Sequence, residues 1–411
     1  MRLLIVILSF LLYIPSVWAW DFCVPNEDSV MLYYNVVDEE ELSCEVALCK
    51  GAEYRCDILR IPEQVVLNRG NWDNGDPDTM MTVVGIGKHA FHYNHLHPET
   101  SNAACEFDTV ILPYGLSYID DYGFAGSYMT KLVWPEDNRW FHHIGQFVFR
   151  DTGLRELTIP KSTQTLSEYS FTDTALQSVV FEEGNTHLTR IPQHCFYRCS
   201  TLNYVKFCSS VTEIEKEAFL DCAGLHTVEF GSGLKSIGEN AFEGCKWLEA
   251  PKLPYGLEFI RNKAFGSHYL YYAWDELEIP ATIRDIGEYV LVGIRRLYVN
   301  KEVPPYCLSE KTFGDYGYDN KEKKYTRVIK GRKLIVPMGC VEEYATTYPW
   351  DRFDRSCITA RDLSAIKPTK VKTSQPEGVF SLDGRRWAKS QKGLNIIRYK
   401  DGTARKVVVK K

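Results

Sequence analysis

The sequence predicts a mainly β fold in which short coils stack into a solenoid with a parallel sheet on one face. Three observations carry this. The segments "RIPQHCFYRC" (190 to 199), "EIEKEAFLDC" (213 to 222) and "SIGENAFEGC" (236 to 245) recur with a period of 23 residues. Three- or four-residue apolar-x-apolar pieces ended by Pro or Gly alternate with such segments, as short strands with every second residue turned inward would. The chain has 411 residues, 45% hydrophobic and 25% charged, a folded composition at a length where one compact core is unusual.

At the start, Arg2, the apolar run Leu3 to Ile14, Pro15 and the stretch Val17-Trp18-Ala19 read as a secretory signal spanning residues 1–19. The run is shorter than the ~20 residues of a spanning helix. Trp20-Asp21-Phe22 separate Ala19 from the first cysteine, Cys23, which argues against an acyl anchor. No later stretch reaches spanning length, so the expectation is a secreted or outer-surface protein with no membrane span after signal removal.

The coils come next. Phe196, Phe219 and Phe242 share one phase of the repeat and Cys199, Cys222 and Cys245 another, with Ile191, Ile214 and Ile237 five residues before each Phe. Extended outward, the Ile-x4-Phe pair gives Ile86/Phe91, Ile119/Phe124, Ile144/Phe149, Leu166/Phe171, then these three, then Ile260/Phe265, Ile286/Leu291 and Leu308/Phe313, ten coils in all. A unit this short cannot bury its own apolar face, so like must stack on like. Equivalent side chains then form structural ladders ~4.8 Å apart.

The unit "LHTVEFGSGLKSIGENAFEGCKWL" (225 to 248) resembles the BspA-like subclass of leucine-rich repeats, and coils from about 82 to 313 follow that pattern. The resemblance implies a right-handed leucine-rich repeat solenoid with N- and C-terminal caps, in an adhesive surface protein of Gram-negative anaerobes. Residues 20–81 are similar to the family's N-terminal β cap. Within 82–357, the segment "KLIVPMGCVEEYATTYPWDRF" (333 to 353) is similar to its C-terminal cap, with Tyr344, Trp350 and Phe353 closing the open end. Residues 358–377 read as a linker with Pro368 and Pro376. Residues 378–411 resemble a short C-terminal β-rich module that can act as a type IX-like sorting signal.

Charge divides the chain. Residues 367–411 hold 13 Lys/Arg against 3 Asp/Glu, a net +10, and the preceding residues 35 against 51, a net −16. An acidic body lacks the basic face that phosphate binding needs, so no nucleic-acid partner is expected.

Thirteen cysteines leave at least one thiol unpaired, and Cys23, Cys44, Cys49 and Cys56 are candidates for a bridge in the N-terminal cap. The row Cys199, Cys222, Cys245 instead follows the repeat, as packing would dictate. A straight row does not supply tetrahedral ligands, so no metal is expected there. The segment "HAFHYNHLHP" places His89, His92, His95 and His97 near Glu99, a density that can bind transition metals, but the expectation is a surface loop without a metal site.

No nucleophile elbow, His-Glu-x-x-His motif, papain-type flank or phosphate loop is present in the sequence, and no cofactor is expected. The expectation is a non-enzyme. Asp28-Ser29-Val30 and Asp173-Thr174-Ala175 resemble an O-glycosylation acceptor of the same bacterial group.

What remains is the outward residue of each strand: Ile111, Val133, Thr158, Val180, Lys206, Glu229, Lys252, Glu278, Tyr298 and Ile335. Repeat proteins use such rows to hold extended partners. The function expected is binding or adhesion to a protein or polysaccharide ligand at the cell exterior. The alternatives are an accessory enzyme on glycans or peptides with its site in a cap, and a structural surface spacer.

Overall fold

The computed structural model describes residues 20–67, 79–94, 101–136, 138–266, 274–314, 317–319, 324–326, 329, 331–364, 376–380, 386–387, 393–399 and 404–409. The expected signal, residues 1–19, lies outside them. Two compact units are present, Met1–Arg361 and Asp362–Lys411.

The first unit is a parallel β-solenoid of about ten turns. Its Phe ladder runs unbroken from Phe91 through Phe124, Phe149, Phe171, Phe196, Phe219 and Phe242 to Phe265, with successive ring centroids 4.8–5.9 Å apart and planes within 13° of parallel. The aliphatic ladder forms a second set of two-residue parallel strands, for example Glu213–Ile214 beside Ser236–Ile237. Both ladders follow the sequence register until the last coil. There Cys307, not Leu308, pairs with Ile286, and Leu308 is 54% exposed. This coil holds one more residue between ladder positions, which shifts Leu308 outward.

The turn carrying the Phe ladder has a backbone cause. The amides of Glu217, Phe219 and Asp221 donate to the carbonyls of Glu239, Ala241 and Glu243 in the next coil at 2.8–2.9 Å. Aiming alternate amides the same way requires left-handed backbone at Glu217 and Asp221, φ +58° and +60°. The residue two before the ladder position is left-handed in nine coils, from His89 to Tyr289. Such conformations cost non-glycine residues about 1–2 kcal/mol each. Stacking offsets this in the early coils: His89, Tyr122, Phe147, Tyr169 and His194 lie ring on ring at 4.6–5.0 Å.

The cysteine row is a hydrogen-bonding column. Cys199, Cys222 and Cys245 donate through Sγ to the carbonyls of Phe171, Phe196 and Phe219 at 2.9, 3.0 and 3.3 Å. Burial pushes the Cys222 and Cys245 thiols up, keeping them protonated as donors. Thr152 and Thr174 hold the same phase and donate to Phe149 and Phe171. Thr174 is therefore 3% exposed with its hydroxyl engaged, which removes it as a glycan acceptor in the folded chain. All thirteen cysteines are free thiols, so the bridge expected in the N-terminal cap is not formed.

At the N-terminal end the strands Phe22–Pro25, Met31–Asp38 and Ser43–Val46 pair antiparallel and join Thr79–Ile86, the first coil's edge. At the other end Tyr344, Trp350 and Phe353 are buried as expected, with Tyr344 Oη and Trp350 Nε1 donating to Lys301 and Pro305 carbonyls. Ile358–Arg361, expected to open a linker, is instead a strand parallel to Lys333–Pro337, because Ile358 at 6% exposure is still needed to cover Leu334. Of the rest of the expected linker, residues 362–364 are in no strand or helix, Pro376 and Glu377 already belong to the strand Pro376–Phe380, and 365–375 lie outside the described residues.

The second unit holds four antiparallel strands: Pro376–Phe380, Arg386–Trp387, Gly393–Tyr399 and Ala404–Val409.

Candidate functional site

The outward row is held by three parallel sheets. Ile111 and Val133 are paired in the first, Thr158, Val180, Lys206 and Glu229 in the second, and Glu278 and Tyr298 in the third. Inward neighbours such as Leu157, Val179, Val205 and Val228 are buried, so alternation fixes the row's direction. Thr158 and Glu229 are exposed, and Ile111, Val133, Val180 and Lys206 half-buried.

The pattern "LRIP" at 59–62 matches strand endings such as "LTIP" and was a signal within reach of sequence reading. Arg60 in fact pairs beside Ile111, extending the row into the N-terminal cap, with Asp28 at 2.6 Å from its guanidinium.

Residues 98–188 and 183–298 match the family described as BspA type leucine rich repeat region, in six copies. The coils from 98 to 298 are BspA type leucine rich repeats. Among solved structures, it is similar to a leucine-rich repeat protein from Bacteroides ovatus (17% identity, 84% of this chain and 79% of that one, TM-score 0.44). It is also similar to the pneumococcal vaccine antigen PcpA (15% identity, 84% and 99%, TM-score 0.32). A third is the T. pallidum leucine-rich repeat protein (22% identity, 58% and 86%, TM-score 0.35). No curated protein matches.

Two members of the BspA-type row depart from expectation. Lys252 is exposed but outside any strand, because Pro251 and Pro254 on either side cannot donate to a ladder. Ile335 keeps its register beside Tyr298 but is 8% exposed and not part of the outward surface. Arg361 closes this end: its guanidinium sits 4.7 Å from the Tyr298 ring centroid and 2.6 Å from Glu278 Oε1. Partial burial would raise the Glu278 carboxyl, but hydrogen bonds from Asn300 and Arg361 outweigh it and hold the group below its ordinary value. Glu278 and Tyr298 are thus engaged within the fold. The open part of the row is the central sheet, where Lys206 and Glu229 pair loosely at 3.8 Å.

Of the histidine-rich segment, His89 and His92 bring their Nδ1 atoms to 3.2 Å, with His89 stacked on Tyr122 rather than free in solvent. His95, His97 and Glu99 lie outside the described residues. Among the described residues no group of three His, Cys, Asp or Glu is placed to hold a metal, and no helix is long and apolar enough to cross a membrane.

Proposed function

We propose that this is a non-enzymatic, exported or outer-surface binding protein that holds an extended protein ligand along the central outward row. The observation that carries the reading is the in-register face Thr158, Val180, Lys206, Glu229, whose alternating neighbours are buried and whose outward atoms reach solvent. A flat face with apolar β-branched residues beside a weak Lys–Glu pair offers an extended segment both contact area and charge register. The leader at 1–19 and the β-rich module at 378–411 support delivery to the cell exterior.

The test is binding of the full chain from Trp20 to immobilised host matrix proteins, with Val180→Arg as the variant. Saturable binding that the substitution weakens about tenfold or more supports the reading. No binder across the set, or binding indifferent to Val180, removes it.

A further inference from the structure

Where the repeat is least regular, it leaves a concavity of about 520 Å³. Three successive coils explain it. At one turn the first presents His92-Tyr93-Asn94, the second Ala125-Gly126-Ser127 and the third Arg150-Asp151-Thr152. A coil of small residues between two of large ones makes a notch. Gly126 has φ +72°, and a Cβ there would lie 2.0 Å from the Tyr93 carbonyl oxygen, so the floor admits no side chain.

The walls are chemically distinct. Tyr93 and Tyr128 stand with ring centroids 5.9 Å apart, and Tyr128 is 60% exposed, its ring available to a ligand. Opposite, Arg150 and Asp151 pair at 3.1 Å and carry no net charge between them. Behind, His92 packs 5.6 Å from Tyr122; burial, then His89 and Arg150, push its pKa down to about 4, so the imidazole is neutral at pH 7. In the lining, Ser127 is 1% exposed and its hydroxyl has no hydrogen-bond partner among the described residues, an unmet polar group in an otherwise satisfied column.

An apolar ligand would leave Ser127 and the ion pair unmatched, and a charged one would meet no balancing charge. A pyranose meets both walls. Its C–H face packs on an aromatic ring, and its adjacent hydroxyls fit the paired donors and acceptors of a guanidinium and a carboxylate. The volume falls within the range of about 300–1,000 Å³ usual for small-ligand sites.

We propose that the notch is a saccharide site that seats a neutral sugar unit of a glycan between Tyr128 and the Arg150–Asp151 pair. It shares no residue with the outward row and stands independently of the function proposed for that row.

The test is affinity electrophoresis of the full chain from Trp20 through gels containing mannan, xylan, dextran, laminarin or, as the anionic comparison, heparin. At least one neutral polysaccharide retards the wild type, and Tyr128→Ala and Arg150→Ala each weaken that retardation about tenfold. Tyr255→Ala, at an exposed aromatic of a central coil, leaves it unchanged. Circular dichroism confirms that each variant is folded. Retardation by none of the neutral polymers, by heparin alone, or equally in all variants overturns the proposal. So does retardation abolished by Val180→Arg but not by the notch variants, which would place the glycan on the sheet.

Discussion

The central coils, 171–266, and the first coils, 82–160, run the same repeat to different ends. In the centre a second aromatic row, Phe181, Phe207 and Phe230, packs edge-on against Phe196, Phe219 and Phe242, so every ring meets partners on face and edge. The Cys column closes the same space with hydrogen bonds. In the first coils the positions of that second row hold Leu112, Trp134 and Ile159, an insertion follows Phe91, and the column passes through Ser127, whose hydroxyl is unpaired among the described residues, before Thr152, which donates to Phe149. Strict repetition fills the interior and leaves a plain surface, whereas broken repetition creates a concavity. The regular packing and the concavity therefore fall in different coils of one solenoid.

Substitutions can break or sharpen that contrast. The largest effect falls on the central ladder: Phe219→Ala removes a fully buried ring stacked between Phe196 and Phe242 and costs about 3–5 kcal/mol by chemical denaturation. A loss below about 1 kcal/mol would show that the doubled rows carry little. In the first coils, Gly126→Ala costs about 1–3 kcal/mol from its left-handed backbone and the clash with Tyr93, and it abolishes notch binding where Tyr255→Ala does not.

Next, Cys222→Ala costs about 1–2 kcal/mol, through lost packing and the loss of one of the two hydrogen bonds on the Phe196 carbonyl, which keeps the Cys199 amide at 3.3 Å. Cys222→Thr, which copies Thr174, recovers part of it.

Smaller still is the His194–Glu217 contact that ends the aromatic stack. Partial burial would raise the Glu217 carboxyl, but hydrogen bonds from Asn240 and His194 hold it below its ordinary value. A lowered folded pKa contributes stability that is full above about pH 4.3 and is lost as pH falls through the lowered value. Glu217→Gln should thus cost under about 1 kcal/mol at pH 7, and its difference from wild type should shrink on acidification. Smallest of all, Glu229→Lys on the open row changes stability within about 0.5 kcal/mol while altering the salt dependence of partner binding.

The inward half of the fold was legible because burial is imposed one position at a time. Phe196, Phe219 and Phe242, spaced 23 residues apart, could only meet as a column, and they do, at 4.8 and 5.1 Å. The same logic set the direction of Thr158, Val180, Lys206 and Glu229. It failed at Lys252, where two prolines interrupt the ladder, and at Leu308, where one extra residue shifts the phase. The notch was not legible: no motif marks it, and its lining is set by size differences among coils about 25 to 33 residues apart.

By itself, the sequence determined the period, the buried columns and the face each strand turns outward, since a 23-residue unit with one apolar stripe has no other way to shed it. Tertiary structure alone decided which outward groups stay available. Arg361 reaches back from the final strand to occupy Glu278 and Tyr298, and three unlike turns side by side leave the space beneath Tyr128. Those outcomes depend on side chains from separate coils meeting in space, which a period counted along one chain does not record.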